Sequence, residues 1–147
     1  MEKLAEARRL PNMVITRNAV PEDQKWVAKV FDANKKVLGN TSGGTVFYRW
    51  TKNNNPRERW IVVEEMAFVH FLERLDGTKV IYEIAVHPDF KRLGLGGKLL
   101  RYVGLPVELK TDADHEESNN FYLKNGFKKI GYKESGAGKK MAIYQKW

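Results

Sequence analysis

The sequence predicts an α/β fold, a mixed sheet flanked by helices, and three stretches carry that expectation. Lys79 to Val86 is rich in β-branched and apolar residues and stops at Pro88, which has no N–H for a ladder; a glycine-rich turn and a helix follow at once. Two hairpins are legible: Met66–Leu72 with Lys79–Val86 across Asp76-Gly77, and Lys128–Glu134 with Lys140–Lys146 around Gly136-Ala137-Gly138. Pro21 opens an amphipathic helix suited to covering the sheet. At 147 residues the chain is long enough for one well-buried core and too short for two ordinary domains, so one domain over residues 1–147 is expected.

In chain order, residues 1 to 10 read as a short helical or frayed segment closed by Pro11, and Met13 to Thr16 as a first strand. Glu22 and Asp23 place acids in the first turn of the Pro21 helix, which keeps Trp26, Val27, Val30, Phe31, Val37 and Leu38 near one face until Gly39. Asn40 to Gly44 is a flexible loop. Thr45–Trp50 and Arg59–Val63 read as strands separated by the turn chemistry of Lys52-Asn53-Asn54-Asn55-Pro56. Trp50 and Trp60 are expected to pack rather than to stack on a ligand, and His70 to be a core or acceptor-facing histidine held by one hydrogen bond rather than a catalytic one. After the glycine turn, Leu95, Leu99, Leu100 and Val103 mark one face of a helix that Gly104-Leu105-Pro106 ends. Val107–Thr111 is the next strand. A helix then spans Asp114 to Phe127: Asp114 with Glu117 forms a capping-box-like start, and Asn125-Gly126-Phe127 a stop that folds Phe127 back on Leu123.

Composition narrows the classes. Hydrophobic residues at 42% and charged residues at 30% belong to a soluble globular chain, and no apolar run approaches the roughly 20 residues of a membrane span. The N-terminus lacks the apolar core of a signal peptide, so a cytoplasmic location and no membrane partner are expected. Zero cysteines exclude disulfides and thiolate chemistry, and the three isolated histidines lack metal-ligand spacing, so no metal is expected. A net charge of +8 with four tryptophans and six tyrosines would suit phosphate contact and base stacking, or would serve solubility alone.

The turn Lys91-Arg92-Leu93-Gly94-Leu95-Gly96-Gly97 is the chemical centre of the sequence. Glycines let a backbone approach a ligand closely, the first N–H groups of a helix lack partners, and the helix dipole favours an anion there. Phosphate is the natural guest, with Lys91, Arg92 and Lys98 adding charge. The alternative is a glycine-rich turn with solvated lysines. The spacing matches neither a P-loop nor the dinucleotide fingerprint. It resembles the acetyl-CoA loop of the GNAT acetyltransferase superfamily, R/Q-x-x-G-x-G/A after a strand ending V-x-P: here Val86-His87-Pro88, then Lys91-Arg92-Leu93-Gly94-Leu95-Gly96. Lys91 stands at the Arg/Gln position. Asp114 to Phe127 is similar to the superfamily's N-x-x-A-x-x-F-Y-x-x-x-G-F helix, with Phe121, Tyr122, Gly126 and Phe127 in register and His115 and Ser118 replacing Asn and Ala.

The resemblance implies a GNAT-like fold with a splayed central sheet, in which strand 80–87 and strand 107–111 part at their C-terminal ends. It further implies acetyl-CoA as co-substrate, held by the backbone of Ile84 and Val86 and by Lys91, Arg92, Leu93, Gly94, Leu95, Gly96 and Gly97, with Asn119 or His115 supplying the bond of the missing asparagine. An N–H near Val86 would face the acetyl oxygen. Transfer would run directly to a primary amine, with Tyr122 as the general acid toward the leaving thiolate. Tyr122 packing beside Phe121 is the alternative. Glu83 is the candidate base, with Asp112 and Asp114 as others, each also readable as a surface carboxylate or a cap, and a water chain could replace all three. The acceptor class stays open between small molecule, protein and nucleic acid or a nucleic-acid-bound protein. A basic nucleic-acid-binding module without catalysis is the rival reading.

Overall fold

The computed structural model describes residues 15–38 and 43–147. Seven strands form one sheet in the order β1-β2-β3-β4-β5-β7-β6: β1 (Thr16–Asn18), β2 (Glu58–Val63), β3 (Ala67–Glu73), β4 (Lys79–Val86), β5 (Val107–Asp112), β6 (Lys128–Glu134) and β7 (Lys140–Lys146). The helices are α1 (Gln24–Ala33), α2 (Lys35–Leu38), α3 (Gly43–Asn53), α4 (Leu95–Val103) and α5 (Glu116–Lys124). Every neighbouring pair is antiparallel except β4 with β5, which the crossover through α4 makes parallel.

That parallel pair is short. Lys79, Val80 and Ile81 face Val107, Glu108 and Leu109, and no pairing follows although both strands continue. The sheet is thus split at its centre, as the family resemblance implies. A bulge helps: His70 faces Glu83 while Phe71 faces Ile81, so Tyr82 is an extra residue on β4. The bulge resets which side chains face which side. Ile81, Ile84 and Val86 pack with α4 and α5, whereas Ala85 packs with α1 and α3.

Each face has its own core. Leu95, Leu99, Leu100 and Val103 of α4 meet Ile61, Val69, Phe71 and Ile81 on one side, joined by Tyr122, Phe127 and Tyr144. On the other side Val27, Val30 and Phe31 of α1 and Phe47 of α3 meet Trp60, Val62 and Phe68. Gly43 is needed there, because a Cβ would lie 2.3 Å from Phe31 Cβ.

Several expected elements are corrected. Thr45–Trp50 is not a strand but part of α3; its β-rich composition yields to burial, since Phe47 is fully buried and Trp50 Nε1 donates to Glu58 O at 2.9 Å. The helix expected from Pro21 to Gly39 begins as a 3₁₀ turn at Pro21–Asp23 and breaks at Asn34, whose side chain turns back to donate to Val30 O and Val86 O. The first strand starts at Thr16 and runs to Asn18. The expected segment 1–10, Pro11, Met13, Val14, Gly39 and loop residues 40–42 lie outside the described residues. His115, not Asp114, caps α5, its Nδ1 accepting from Ser118 N at 3.1 Å. The stop is a Schellman motif, with Gly126 N–H on Leu123 O and Phe127 N–H on Tyr122 O. Phe127 therefore packs on Tyr122, and Leu123 is half exposed.

Candidate active site

The gap between β4 and β5 presents unpaired backbone. His87 N donates to Met66 O at 2.7 Å, which makes Ala67 and Val86 a non-hydrogen-bonded pair of the antiparallel ladder. The N–H and C=O of Val86 then point away from β3, and two residues back those of Ile84 do the same. Beyond Ile81 there is no β5 partner to meet them. Asn34 takes one of these groups, Val86 O, at 3.2 Å. Both residues expected to offer backbone to a ligand, Ile84 and Val86, thus have N–H groups aimed into the cleft.

The glycine turn lies beside it. Arg92 and Gly94 have φ of +66° and +77° on either side of Leu93, a handedness that turns neighbouring N–H groups toward one side. No side chain caps α4, and its first internal bond is Lys98 N to Gly94 O. Leu95, Gly96 and Gly97 N–H are left as donors at the positive end of the dipole. The glycines have different reasons to be there. Gly94 faces open space and is required by its backbone conformation, whereas a Cβ on Gly96 would lie 2.8 Å from Phe121 Cζ, so that glycine lets α4 close on α5. A Cβ on Gly97 would meet Asn125 Oδ1 at 3.2 Å. Lys91 pairs with Glu117 at 3.5 Å, and Arg92 is exposed. This arrangement fits a polyphosphate with a long, hydrogen-bonding arm.

Tyr122 and Glu83 lie on opposite faces of the sheet. Tyr122 is buried among Phe121, Phe127 and Tyr144. Burial first, and then the neighbouring Tyr144, push its phenol well above the usual tyrosine range, so it keeps its proton at neutral pH. Asn119 is committed elsewhere: Nδ2 donates to Asp112 O at 2.9 Å and His115 O at 2.7 Å, and Oδ1 accepts from Tyr144 Oη at 2.5 Å. Its amide ties β5, α5 and β7 together, with both N–H donors used and one lone pair of Oδ1 left. Asp112 and Asp114 are also engaged. Lys139 at 2.8 Å and the Asp114 N–H hold the Asp112 carboxyl below the usual range, and Asp114 serves that turn.

Glu83 belongs to a cluster that sequence reasoning missed. His70 Nδ1 lies 2.5 Å from Glu83 Oε2, and Nε2 lies 2.7 Å from Glu58 Oε1. The ring stacks on Trp60 at 4.2 Å and touches Tyr82 at 5.1 Å. The buried ring links two carboxylates that keep about a fifth of their surface in solvent. The signal was hidden because it exists only in the register of three strands, Trp60 against His70 against Glu83. Among the described residues no group of three or more metal-ligating side chains is found, and no helix is long and apolar enough to cross a membrane.

Comparison with known proteins agrees with this geometry. A family model described as the acetyltransferase (GNAT) domain matches residues 56–129. The chain is 28% identical over 146 residues to the 5-NmdU N-acetyltransferase of Pseudomonas phage PaMx11, covering 92% of this chain and all of that one. An aminoglycoside 6'-N-acetyltransferase solved with coenzyme A superposes with a TM-score of 0.74 at 15% identity, covering 90% of this chain and 96% of that one. The ribosomal-protein-S18-alanine N-acetyltransferase of Escherichia coli gives 0.70 at 18% identity, covering 89% and 91%.

Proposed function

The chain belongs to the GNAT acetyltransferase family, and from that premise we propose that it moves an acetyl group from acetyl-CoA directly to the primary amine of a modified nucleobase. The observation that carries the donor half is the parting of β4 from β5 beyond Ile81, with the uncapped end of α4 beside it. The donor supplies an activated thioester; this chain supplies position and charge. N–H groups of Leu95, Gly96 and Gly97 would hold phosphate, and those of Ile84 and Val86 would bond along the arm. The Val86 N–H would stabilise negative charge on the acetyl oxygen.

Acid and base act from the two faces of the split sheet. Tyr122, which holds its proton at neutral pH, would donate it toward the departing thiolate. Glu83 takes the proton of the acceptor amine, and His70, bonded to both Glu83 and Glu58, fixes its orientation and passes the charge change to a second carboxylate. His70 is a positioning residue in this scheme.

Two facts favour a base amine as acceptor: the likeness to a 5-NmdU N-acetyltransferase along its whole length, and the formal surplus of +8. Family membership argues against the non-catalytic binding module. Calorimetric titration with acetyl-CoA, CoA and ATP, followed by mass spectrometry of a nucleoside bearing a primary amine on its base and of peptide and aminoglycoside amines, tests both halves. Tight one-to-one acetyl-CoA binding and a gain of one acetyl on the nucleoside alone are expected. Equal weak binding of every phosphate compound refutes the donor half; acetylation of a peptide or aminoglycoside in preference refutes the acceptor half.

A further inference from the structure

The basic surplus is concentrated at one edge of the sheet. Residues 128–147 hold six lysines and one glutamate, a formal +5 of the chain's +8. Two of these lysines are engaged, Lys139 with Asp112 at 2.8 Å and Lys146 on Asn125 O at 2.8 Å. Lys128, Lys129, Lys133 and Lys140 are exposed and form no ion pair among the described residues. Lys129 and Lys140 flank Tyr132, their Nζ atoms 5.3 and 4.0 Å from its ring centre, and Lys128 lies 5.9 Å from the ring of Trp147. Tyr132 is 51% and Trp147 70% exposed.

The register gives this edge a place relative to the active site. Asp112, the last residue of β5, faces Met141, and Lys140 faces Glu134. The β6–β7 turn therefore lies at the end of β5 that has parted from β4. Lysines on an exposed edge strand also discourage strand pairing between copies, but that role needs no exposed ring held between two ammonium groups. At about 3.3 Å per residue the seven residues of β6 span roughly 20 Å, the length of about six phosphates along one strand of a duplex.

We propose that the β6–β7 hairpin is the docking edge for a DNA acceptor, with Lys129 and Lys140 on one face of the sheet and Lys128 and Lys133 on the other reaching backbone phosphates, and the rings of Tyr132 and Trp147 supporting them. The inference rests on the base-amine reading and goes beyond it: the acceptor base is presented in a polymer, gripped by its backbone along an edge that runs from Lys128, level with the paired part of β4 and β5, to Lys133 and Lys140 beside the split. Phosphate contacts of this kind position without reading sequence.

The test is fluorescence anisotropy with a labelled, unmodified 20-base-pair duplex at several salt concentrations. The wild type is compared with the fourfold variant Lys128→Gln, Lys129→Gln, Lys133→Gln, Lys140→Gln and with a charge-matched variant Lys25→Gln, Lys29→Gln, Lys35→Gln, Lys52→Gln on the helices of the opposite half. The hairpin variant should bind at least tenfold more weakly, with its log–log salt slope reduced by about 3.6, since each of the four lost phosphate contacts removes roughly 0.9. The charge-matched variant should keep the wild-type slope to within about 1. Equal losses in both variants, unaltered binding by the hairpin variant, or no duplex binding by the wild type at low salt would each overturn the proposal. Acetyl transfer to the aminated nucleoside is read separately. Its failure alongside the expected binding pattern would remove the base-amine acceptor and leave the DNA surface standing.

Discussion

Asn119→Ala should destabilise the fold while leaving coenzyme binding nearly intact. The side chain is buried, and its three bonds do not carry equal weight. Asp112 O and His115 O each keep a backbone partner, from His115 N and Asn119 N at 3.1 Å, so their loss costs about 0.5–1 kcal/mol each. Tyr144 is fully buried and its hydroxyl would be orphaned, at about 1–3 kcal/mol. The sum is about 2–5 kcal/mol, or roughly 5–20 °C in Tm for a chain of this length. Urea unfolding measures it, and the double variant Asn119→Ala, Tyr144→Phe, which removes the orphan, should recover about 1–2 kcal/mol. Acetyl-CoA affinity well below Tm should change less than threefold. A stability loss under 0.5 kcal/mol together with a tenfold loss of affinity would refute the reasoning and make Asn119 a ligand-facing residue.

Other outcomes follow from the same geometry. Tyr122→Phe should lower turnover by about 10²–10⁴-fold with acetyl-CoA Kd unchanged by calorimetry; an unaltered kcat would return Tyr122 to packing. Gly94→Asp adds a Cβ into open space but strains a left-handed backbone by about 1–2 kcal/mol and sets a carboxylate against phosphate; acetyl-CoA should bind at least tenfold more weakly than to Gly94→Asn, which shares the strain without the charge. His70→Ala should lower kcat about tenfold or more as Glu83 loses its partner, and a change confined to KM would indicate packing alone. For Asp23, burial opposes ionisation, but bonds from Arg17, the Val20 N–H and Trp26 outweigh it and hold the carboxyl below the usual range. Its contribution is present above the unfolded value near 4 and is lost as pH falls through the folded one. The stability advantage of wild type over Asp23→Asn should therefore shrink below pH 4, and a gap independent of pH would contradict this.

What the sequence by itself determined was local. Pro88 and the glycines announced the strand exit and helix entrance, Asp76-Gly77 the central hairpin, and Asn125-Gly126-Phe127 a helix stop, because these rest on backbone conformations that few residues adopt. The two motifs also carried the family, since they join such conformations at fixed spacing. Tertiary structure decided whatever depended on partners distant in the chain. Thr45–Trp50 has strand composition yet is helix, because burying Phe47 between α1 and the sheet outweighs local preference. Gly96 looked like a ligand contact and is also a packing contact, since Phe121 comes to it from 25 positions away. Asn119 was read as a cofactor ligand, and only the tertiary structure shows its amide tying β5, α5 and β7 together. Glu58, His70 and Glu83 had no spacing to reveal them; only the register of three strands and a one-residue bulge at Tyr82 bring them together. A sequence states what each residue favours alone, and a split sheet with an acid on one face and a base on the other exists only once long-range burial has fixed which strands lie side by side.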